Sequence, residues 1–315
     1  MKTVHPEQSR SIKIGTRGSQ LALYQANLVA EFLRKSHPQT EIEIVTIKTT
    51  GDKILDSPLS KIGDKGLFTR EIEKAILDSE IDCAVHSLKD LPTQLPDGLR
   101  MIAFGEREDV RDALIAQDGM KLLELPKGST VATGSLRRRS QLLHLRSDLN
   151  LVDIRGNLNT RLRKLESEGF AGMFLAYAGV KRLGMTDKVT EILEPEMFLP
   201  AVGQGIIAVE AREDNEHVHD FLSAFNDANS ELSAVAERAF LRRLEGGCQV
   251  PIGVYTSFGE NKLTGMVASL DGENLIKDHV GFDKNQPEKC GVDLAERLIS
   301  LGADKILDEI RASSN

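Results

Sequence analysis

Apolar and polar positions alternate along this chain in two periods that take turns, one of about two residues and one of about 3.6. Ser11–Gly15 reads as a short strand, and the polar turn Thr16–Ser19 opens a helix. That helix carries Leu21, Leu28 and Phe32 on one stripe, with Ala22, Ala26, Val29 and Leu33 beside it. Glu41–Lys48, Ile81–His86 and Leu99–Phe104 read as strands and Phe68–Ser79 as a helix. From Ser129 the exchange becomes regular. Strands at Thr130–Thr133, Leu151–Ile154 and Ala171–Tyr177 are each followed by helical pattern, at Ser135–Arg146, at Thr160–Glu168 and from Gly179. Such units predict a parallel sheet covered on both faces. Gly205–Glu210, standing after Pro195–Pro200, reads as a further strand that could return the chain to the first domain.

The last third changes character. Ser230–Leu244 reads as a long helix and Gln249–Ser257 as a strand. Lys262–Leu270 and Asn274–Phe282 form a hairpin across Asp271–Gly272, and one helix, Cys290–Arg311, closes the chain. This is the pattern of a small α+β domain. Lys48–Gly66 has several Gly, Asp and Lys residues and little periodicity, which predicts a mobile functional loop.

At 315 residues the chain exceeds what one core usually holds, so two or three domains are expected. No run approaches the roughly 18 apolar residues of a membrane span. The polar start, Met1–Arg10, has no apolar export core, so a cytoplasmic location is expected. Cys83, Cys248 and Cys290 are odd in number and widely spaced, which argues against a disulfide framework or a zinc knuckle. The seven His show no metal-ligand spacing, so no metal is expected. Gly203–Gly205 lacks the third glycine of a dinucleotide fingerprint, and there is no phosphate-loop sequence.

A net charge of −8 disfavours a general nucleic-acid binder, yet Lys127–Arg182 holds eleven Lys/Arg against four Asp/Glu, 11 − 4 = +7. Five basic segments fall where the pattern puts strand ends and helix starts, the places that favour anions. They are Thr16–Ser19, His86–Asp90, Thr133–Arg138, Arg155–Asn157 with Arg161, and Lys181–Arg182. One such arginine is most simply a surface ion pair. Five together, each with a planar fork suited to carboxylates, point to a ligand with several negative charges. Asp90 is the acid amid this positive potential. On local residues it serves equally as a partner of Lys89, a turn cap before Pro92, or a catalytic carboxylate. Cys83, on an apolar strand, and Cys290 read as inert small hydrophobes. Cys248 follows Gly246-Gly247, which frees the backbone to project a thiol from a sharp turn. His86 reads as a packed strand residue.

Taken in order, the segments resemble the porphobilinogen deaminase (hydroxymethylbilane synthase) family. The likeness runs through Thr16–Ser19 with Leu21-Ala22 and Gln25, then Lys61–Gly63 and Lys65–Phe68, then His86–Pro92. It continues through Ser135–Arg138, Arg155–Asn157, Thr160-Arg161, Lys181–Gly184, Leu199–Gly205 and Glu245–Gly253. The resemblance implies a transferase of porphyrin and heme biosynthesis, which deaminates four porphobilinogen units and joins them head to tail into a linear tetrapyrrole. It implies a dipyrromethane cofactor held by a thioether to Cys248.

The implied fold is α/β, two periplasmic-binding-protein-like lobes with mixed sheets plus a small C-terminal α+β domain. Their expected bounds are 1–105 with 200–225, then 106–199, then 226–315. Asp90 is then the catalytic carboxylate, and Lys89, Ser135, Arg137 and Arg138 contact the cofactor. Arg17, Ser19, Arg155, Arg161 and Arg182 bind the acetate and propionate groups of substrate and growing chain. Gln25, Lys61, Lys65 and Phe68 lie on segments bordering the cleft. The expected partner is porphobilinogen alone, with no nucleic acid, no membrane and a monomeric state. Tyr24 stands where many members have Trp, Gly134 replaces a Ser, and Asn159 occupies a place commonly Gly; none of these removes a charge.

On the residues alone two other classes stay open. One is a two-lobed binding protein for a small polycarboxylate, which the absent export segment and the Cys248 loop count against. The other is an RNA-associated protein using Arg137–Arg139, which low aromatic content and net acidity disfavour.

Overall fold

A computed structural model describes residues 11–53, 66–245 and 250–314. The first lobe begins with β1 (Ser11–Thr16), whose alternation buries Ile12 and Ile14. Ser19 caps α1 (Gln20–Ser36), its hydroxyl accepting from the Ala22 N–H. The buried face of α1 is Ala26, Val29, Ala30 and Leu33 with Gln25, not the Leu21–Leu28–Phe32 stripe. Leu28 is exposed, and Phe32 packs edge-on against Phe225 at the margin. Two alanines on the inner face allow the helix to lie close on the sheet, which displaces the bulkier stripe outward.

Then follow β2 (Glu41–Thr46), the short α2 (Thr50–Lys53), α3 (Arg70–Leu77), β3 (Cys83–Ser87), a 3-10 turn at Leu88–Asp90, and β4 (Leu99–Phe104). Residues 54–65, most of the expected mobile loop, lie outside the described residues.

The second lobe holds β5 (Asp112–Ala116), β6 (Thr130–Ala132), α4 (Leu136–Leu145), β7 (Asn150–Val152), α5 (Leu158–Ser167), β8 (Gly172–Ala176), α6 (Tyr177–Arg182) and β9 (Glu191–Leu193). Its order is β7-β6-β8-β5-β9, with β6 parallel to both neighbours and β5 antiparallel to β8 and β9. The sheet is therefore mixed where strand–helix alternation alone predicts a parallel one. β5 and β9 escape the pattern because all five residues of β5 are buried, leaving no period of two to detect, and β9 is only three residues long.

β10 (Ile207–Arg212) then returns to the first lobe and inserts antiparallel between β3 and β4, giving β2-β1-β3-β10-β4. Helix α7 (Glu216–Leu222) packs on that sheet through Val218 and Leu222. The two crossovers between lobes, 105–111 and 194–206, run side by side: Gly105 N–H donates to Ile207 O at 2.9 Å and Glu108 N–H to Gly205 O at 3.2 Å.

The C-terminal domain sets α8 (Ala228–Arg243) against the antiparallel sheet of β11 (Ile252–Ser257), β12 (Lys262–Ala268) and β13 (Leu275–Gly281). The strand pairing ends at Ala268 and Leu275, so the hairpin connection is the six-residue Ser269–Asn274 rather than a two-residue turn. Its tip docks on the second lobe, where Gly272 O is hydrogen-bonded to His144 Nδ1 on α4 at 2.9 Å. The expected single closing helix is two, α9 (Pro287–Ser300) and α10 (Ala303–Ser314). Gly302, at φ +101°, breaks the helix between them.

Candidate active site

Four of the five basic segments lie where a strand of one lobe gives way to a helix. Arg17 and Ser19 lie between β1 and α1, Lys89 and Asp90 follow β3, Ser135–Arg138 follow β6, and Arg155–Asn157 stand before α5. Three of these helices begin on a side-chain cap: Ser19 on α1, Ser135 on α4 and Asn157 on α5. The fifth segment departs from expectation, since Lys181 and Arg182 close α6 rather than open it.

Asp90 is exposed on its turn, and that turn is pinned from two sides. Leu88 N–H donates to Ile206 O at 3.0 Å, and Arg238 of the C-terminal domain donates to Pro92 O at 2.6 Å. Asp90 lines a cavity of about 70 Å³ together with Arg17, Ser19, Gln25 and Phe68. Arg17 donates to Asp52, at 2.5 Å from Nη2 to Oδ1, and stacks over Phe68 with its guanidinium carbon 4.1 Å from the ring centre. Gln25 donates to Ser87 Oγ at 2.8 Å. A larger cavity, about 600 Å³, lies between the crossovers and β11. Its charged lining is six carboxylates against two arginines, and both arginines are already paired with carboxylates, Arg107 with Glu237 and Arg111 with Asp109 and Glu194.

Across the cleft the second lobe presents its arginines. Arg137 and Arg138 are buried and share one carboxylate, Asp112, which sits 2.7 Å from each. Burial pushes the Asp112 pKa up, but the two guanidinium groups outweigh it and hold the carboxyl well below the usual range. Arg137 also donates to Leu199 O at 2.6 Å, and Arg138 to Phe174 O at 3.1 Å. Arg161 donates to Gly156 O at 2.9 Å and Arg182 to Gly205 O at 2.7 Å. Desolvation first, then Arg138, pushes Arg161 down to about 10, while Asp90 opposes the shift. Lys89 is pushed down to about 8, by desolvation first and then by Arg138 and Arg137, against the pull of Asp90 and Asp112. These mutual influences set Asp90, Lys89, Arg138 and Arg161 within one electrostatic neighbourhood spanning both lobes.

Arg137 Nε and Arg155 Nη2 are buried donors that find no acceptor among the described residues. An orphaned buried donor costs about 1–3 kcal/mol, more when charged, so a site built this way suits an anionic ligand. Cys248, Lys61 and Lys65 lie outside the described residues. Cys83 is fully buried with its thiol pKa raised by burial, and Cys290 is buried with its sulfur accepting from the Asp283 N–H, as befits inert thiols. His86 is packed in the sheet with Nε2 3.1 Å from Glu210 Oε2.

Sequence reasoning missed Asp52 and Asp112, the counter-charges of Arg17 and of the Arg137–Arg138 pair. Asp112 left a signal: an acid opening the otherwise apolar run Asp112–Ala116, where an isolated charge would be too costly to bury.

Residues 12–220 match the family described as porphobilinogen deaminase, dipyromethane cofactor binding domain, and residues 232–300 match the porphobilinogen deaminase C-terminal domain. The porphobilinogen deaminase of Carboxydothermus hydrogenoformans is 53% identical over 308 residues, covering 97% of this chain and 99% of its own. That of Desulfitobacterium hafniense is 53% identical over 303 residues, covering 96% and 98%. Among solved structures, a Salmonella typhimurium periplasmic binding protein with high arginine specificity aligns with 74% of this chain and 97% of its own, at 15% identity and TM-score 0.40. A TRAP periplasmic solute binding protein from Desulfovibrio salexigens aligns with 75% and 78%, at 11% identity and TM-score 0.44. This chain belongs to the porphobilinogen deaminase family, transferases that deaminate porphobilinogen and join four units head to tail into hydroxymethylbilane with a dipyrromethane cofactor.

Proposed function

We propose that in this activity Asp90 is the catalytic carboxylate and that Cys248 holds the dipyrromethane through a thioether. Lys89, Ser135, Arg137 and Arg138 are assigned to the cofactor. Arg17, Ser19, Gln25, Lys65, Phe68, Arg155, Arg161 and Arg182 are assigned to the incoming substrate and the growing chain. The observation that carries this reading is one exposed carboxylate whose charge acts on Arg161 of the other lobe, beside two guanidinium groups, Arg137 and Arg155, that keep a buried donor without an acceptor among the described residues. Two linked pyrroles bearing acetate and propionate groups suit those donors.

When bound, the cofactor supplies the pyrrole carbon to which the first unit is joined. The protein's own residues do the rest. Loss of ammonia from the substrate's aminomethyl group leaves positive charge spread over its pyrrole. Asp90, held at the ring N–H, stabilises that charge, and does so best where water is excluded. The same carboxylate accepts or relays the proton released when the new carbon–carbon bond forms. Arg155, Arg161 and Arg182 hold carboxylates by charge-assisted bonds worth roughly 1.5–3 kcal/mol each. Every added unit brings further carboxylates, which accounts for the number of arginines.

The chain is read as three domains, 1–105 with 200–225, 106–199 and 226–315, working as a cytoplasmic monomer. Separate buried clusters under the three sheets support the division. No described helix is long and apolar enough to cross a membrane.

Intact-mass measurement under denaturing conditions tests the reading. The expected result is mass beyond the polypeptide, confined to the peptide containing Cys248 and lost in Cys248→Ser. An unmodified chain that turns over porphobilinogen at the normal rate would refute the tether.

A further inference from the structure

The carboxylate of Glu237 has no solvent exposure, yet it binds to three separate parts of the chain. It stands on α8 of the C-terminal domain. Oε1 accepts from Arg107 Nη1 at 2.6 Å, and from the Thr256 N–H and hydroxyl at 3.1 and 3.0 Å. Oε2 accepts from Arg107 Nη2 at 3.1 Å and from the Gly203 N–H at 2.8 Å. One side chain therefore ties the first crossover, through Arg107, to the second, through Gly203, and both to β11, through Thr256.

The connection runs further. Arg107 Nε–H donates to Gln204 O at 2.9 Å. Gln204, also without exposure, donates its side-chain amide to Val110 O at 2.7 Å and to Asp112 Oδ1 at 3.1 Å. That same Oδ1 accepts from Arg138 Nε at 3.1 Å and Nη2 at 2.7 Å, while Oδ2 lies 2.7 Å from Arg137. A hydrogen-bonded path thus runs from the C-terminal domain, through both crossovers, to the two arginines of the second lobe.

An exposed network could exchange any of these bonds for water. Here Arg107 and Thr256 border a cavity, while Asp112, Gln204 and Glu237 are all fully buried and have no such outlet. A buried charge that loses its partner is strongly penalised, so each member constrains the next. Gly205 sharpens the constraint. It adopts φ +91°, and a Cβ there would lie 2.3 Å from Glu108 O, so the second crossover is wedged against the first.

We infer that Glu237 and Gln204 are positioning residues that transmit the seating of the C-terminal domain to the orientation of the Arg137 and Arg138 guanidinium groups. Its role in the reaction rests on the reading of Arg137 and Arg138 as cofactor contacts. The network then keeps the domain that carries the cofactor's tether in register with the lobe that cradles its carboxylates.

The test follows the Arg138 Nε–H directly, in deuterated holoenzyme with 15N-labelled arginine, the signal being assigned by its loss in Arg138→Lys. In Glu237→Gln, which keeps the shape and removes the charge, solvent exchange at Arg138 Nε–H is expected to accelerate about tenfold, and Gln204→Met to do the same. Acceleration below roughly threefold in a folded Glu237→Gln overturns the inference, since a merely local tie would leave Arg138 untouched. Should Glu237→Gln not fold, Thr256→Val removes one bond to Oε1 without changing charge, and less than roughly twofold acceleration there overturns it equally. Intact mass of the same variants separates the two proposals. Faster exchange at Arg138 with undiminished cofactor content and turnover upholds the coupling and removes Arg137 and Arg138 from the cofactor's contacts.

Discussion

Lys89 and Asp90 are adjacent residues of opposite charge, the first half-buried and the second exposed. Because burial and the neighbouring arginines push Lys89 down to about 8, it is partly neutral at mildly alkaline pH. Its ordinary value is about 10.4, so between those limits the unfolded chain binds more protons than the folded one, and stability rises with pH across that window. In Cys248→Ser, which on the proposed reading carries no tethered carboxylates to compensate the charge, this rise should reach up to about 3 kcal/mol in urea unfolding and disappear when Lys89→Met is added. A flat profile in Cys248→Ser itself would place Lys89 in contact with water.

For Asp90, replacement by Asn keeps shape and removes charge. We predict porphobilinogen binding within about threefold of the parent and turnover reduced at least ~100-fold, the scale of a lost electrostatic stabiliser. Full activity in Asp90→Asn would reassign the catalyst. The arginines were legible in the sequence because a fork of positive charge at a strand end has a recognisable place. Their partners were not, since Asp52 lies 35 residues from Arg17 and Asp112 lies 26 from Arg138. A linear pattern can mark a buried acid, as the apolar run after Asp112 does, but not the residue with which the fold pairs it.

At the scale of elements, long amphipathic segments were readable and fully buried or broken ones were not. Helix α1 was found at the right place, and Ala26, Val29 and Leu33 of its apolar positions are buried, whereas Leu28 on the neighbouring stripe is exposed. β5 hid in its uniform burial. The closing helix was read as continuous because apolar spacing persists across Leu301–Gly302 while the backbone turns at Gly302. The second crossover shows how one backbone position can govern an element. At Gly205 a side chain meets both an unfavourable φ and the Glu108 carbonyl at 2.3 Å. At Gly184, with φ +68°, nothing lies within 4 Å. Gly184→Ala should therefore cost about 1 kcal/mol from backbone strain alone, and Gly205→Ala about 3 kcal/mol or more, read from urea midpoints. Equal costs would mean that the crossovers can part without penalty.

For the whole molecule, the question is how the site accommodates four additions. The cavity beside Asp90 measures about 70 Å³. Pockets that hold small organic ligands usually span roughly 300–1,000 Å³, so this cavity alone cannot seat successive pyrroles, and relative motion of the lobes is predicted to supply the space. Both lobes have independent cores and are joined by two crossovers, the arrangement in which closure and opening pivot at few residues. At the cleft the lobes touch through Asn159 at the start of α5, whose amide donates to Gln20 Oε1 at the start of α1 at 2.8 Å. Joining these positions covalently should stop the motion without disturbing Asp90. In a Gln20→Cys/Asn159→Cys chain a short bismaleimide reacts at the new pair, since Cys83 and Cys290 are buried and Cys248 is, on the proposed reading, taken up by its thioether. With the link closed, intact mass should reveal chains carrying one or two added pyrrole units and no release of tetrapyrrole, whereas the same chain left unlinked completes its turnover. If the linked protein releases product at the unlinked rate, the lobes need not separate, and the room for elongation lies elsewhere in the cleft.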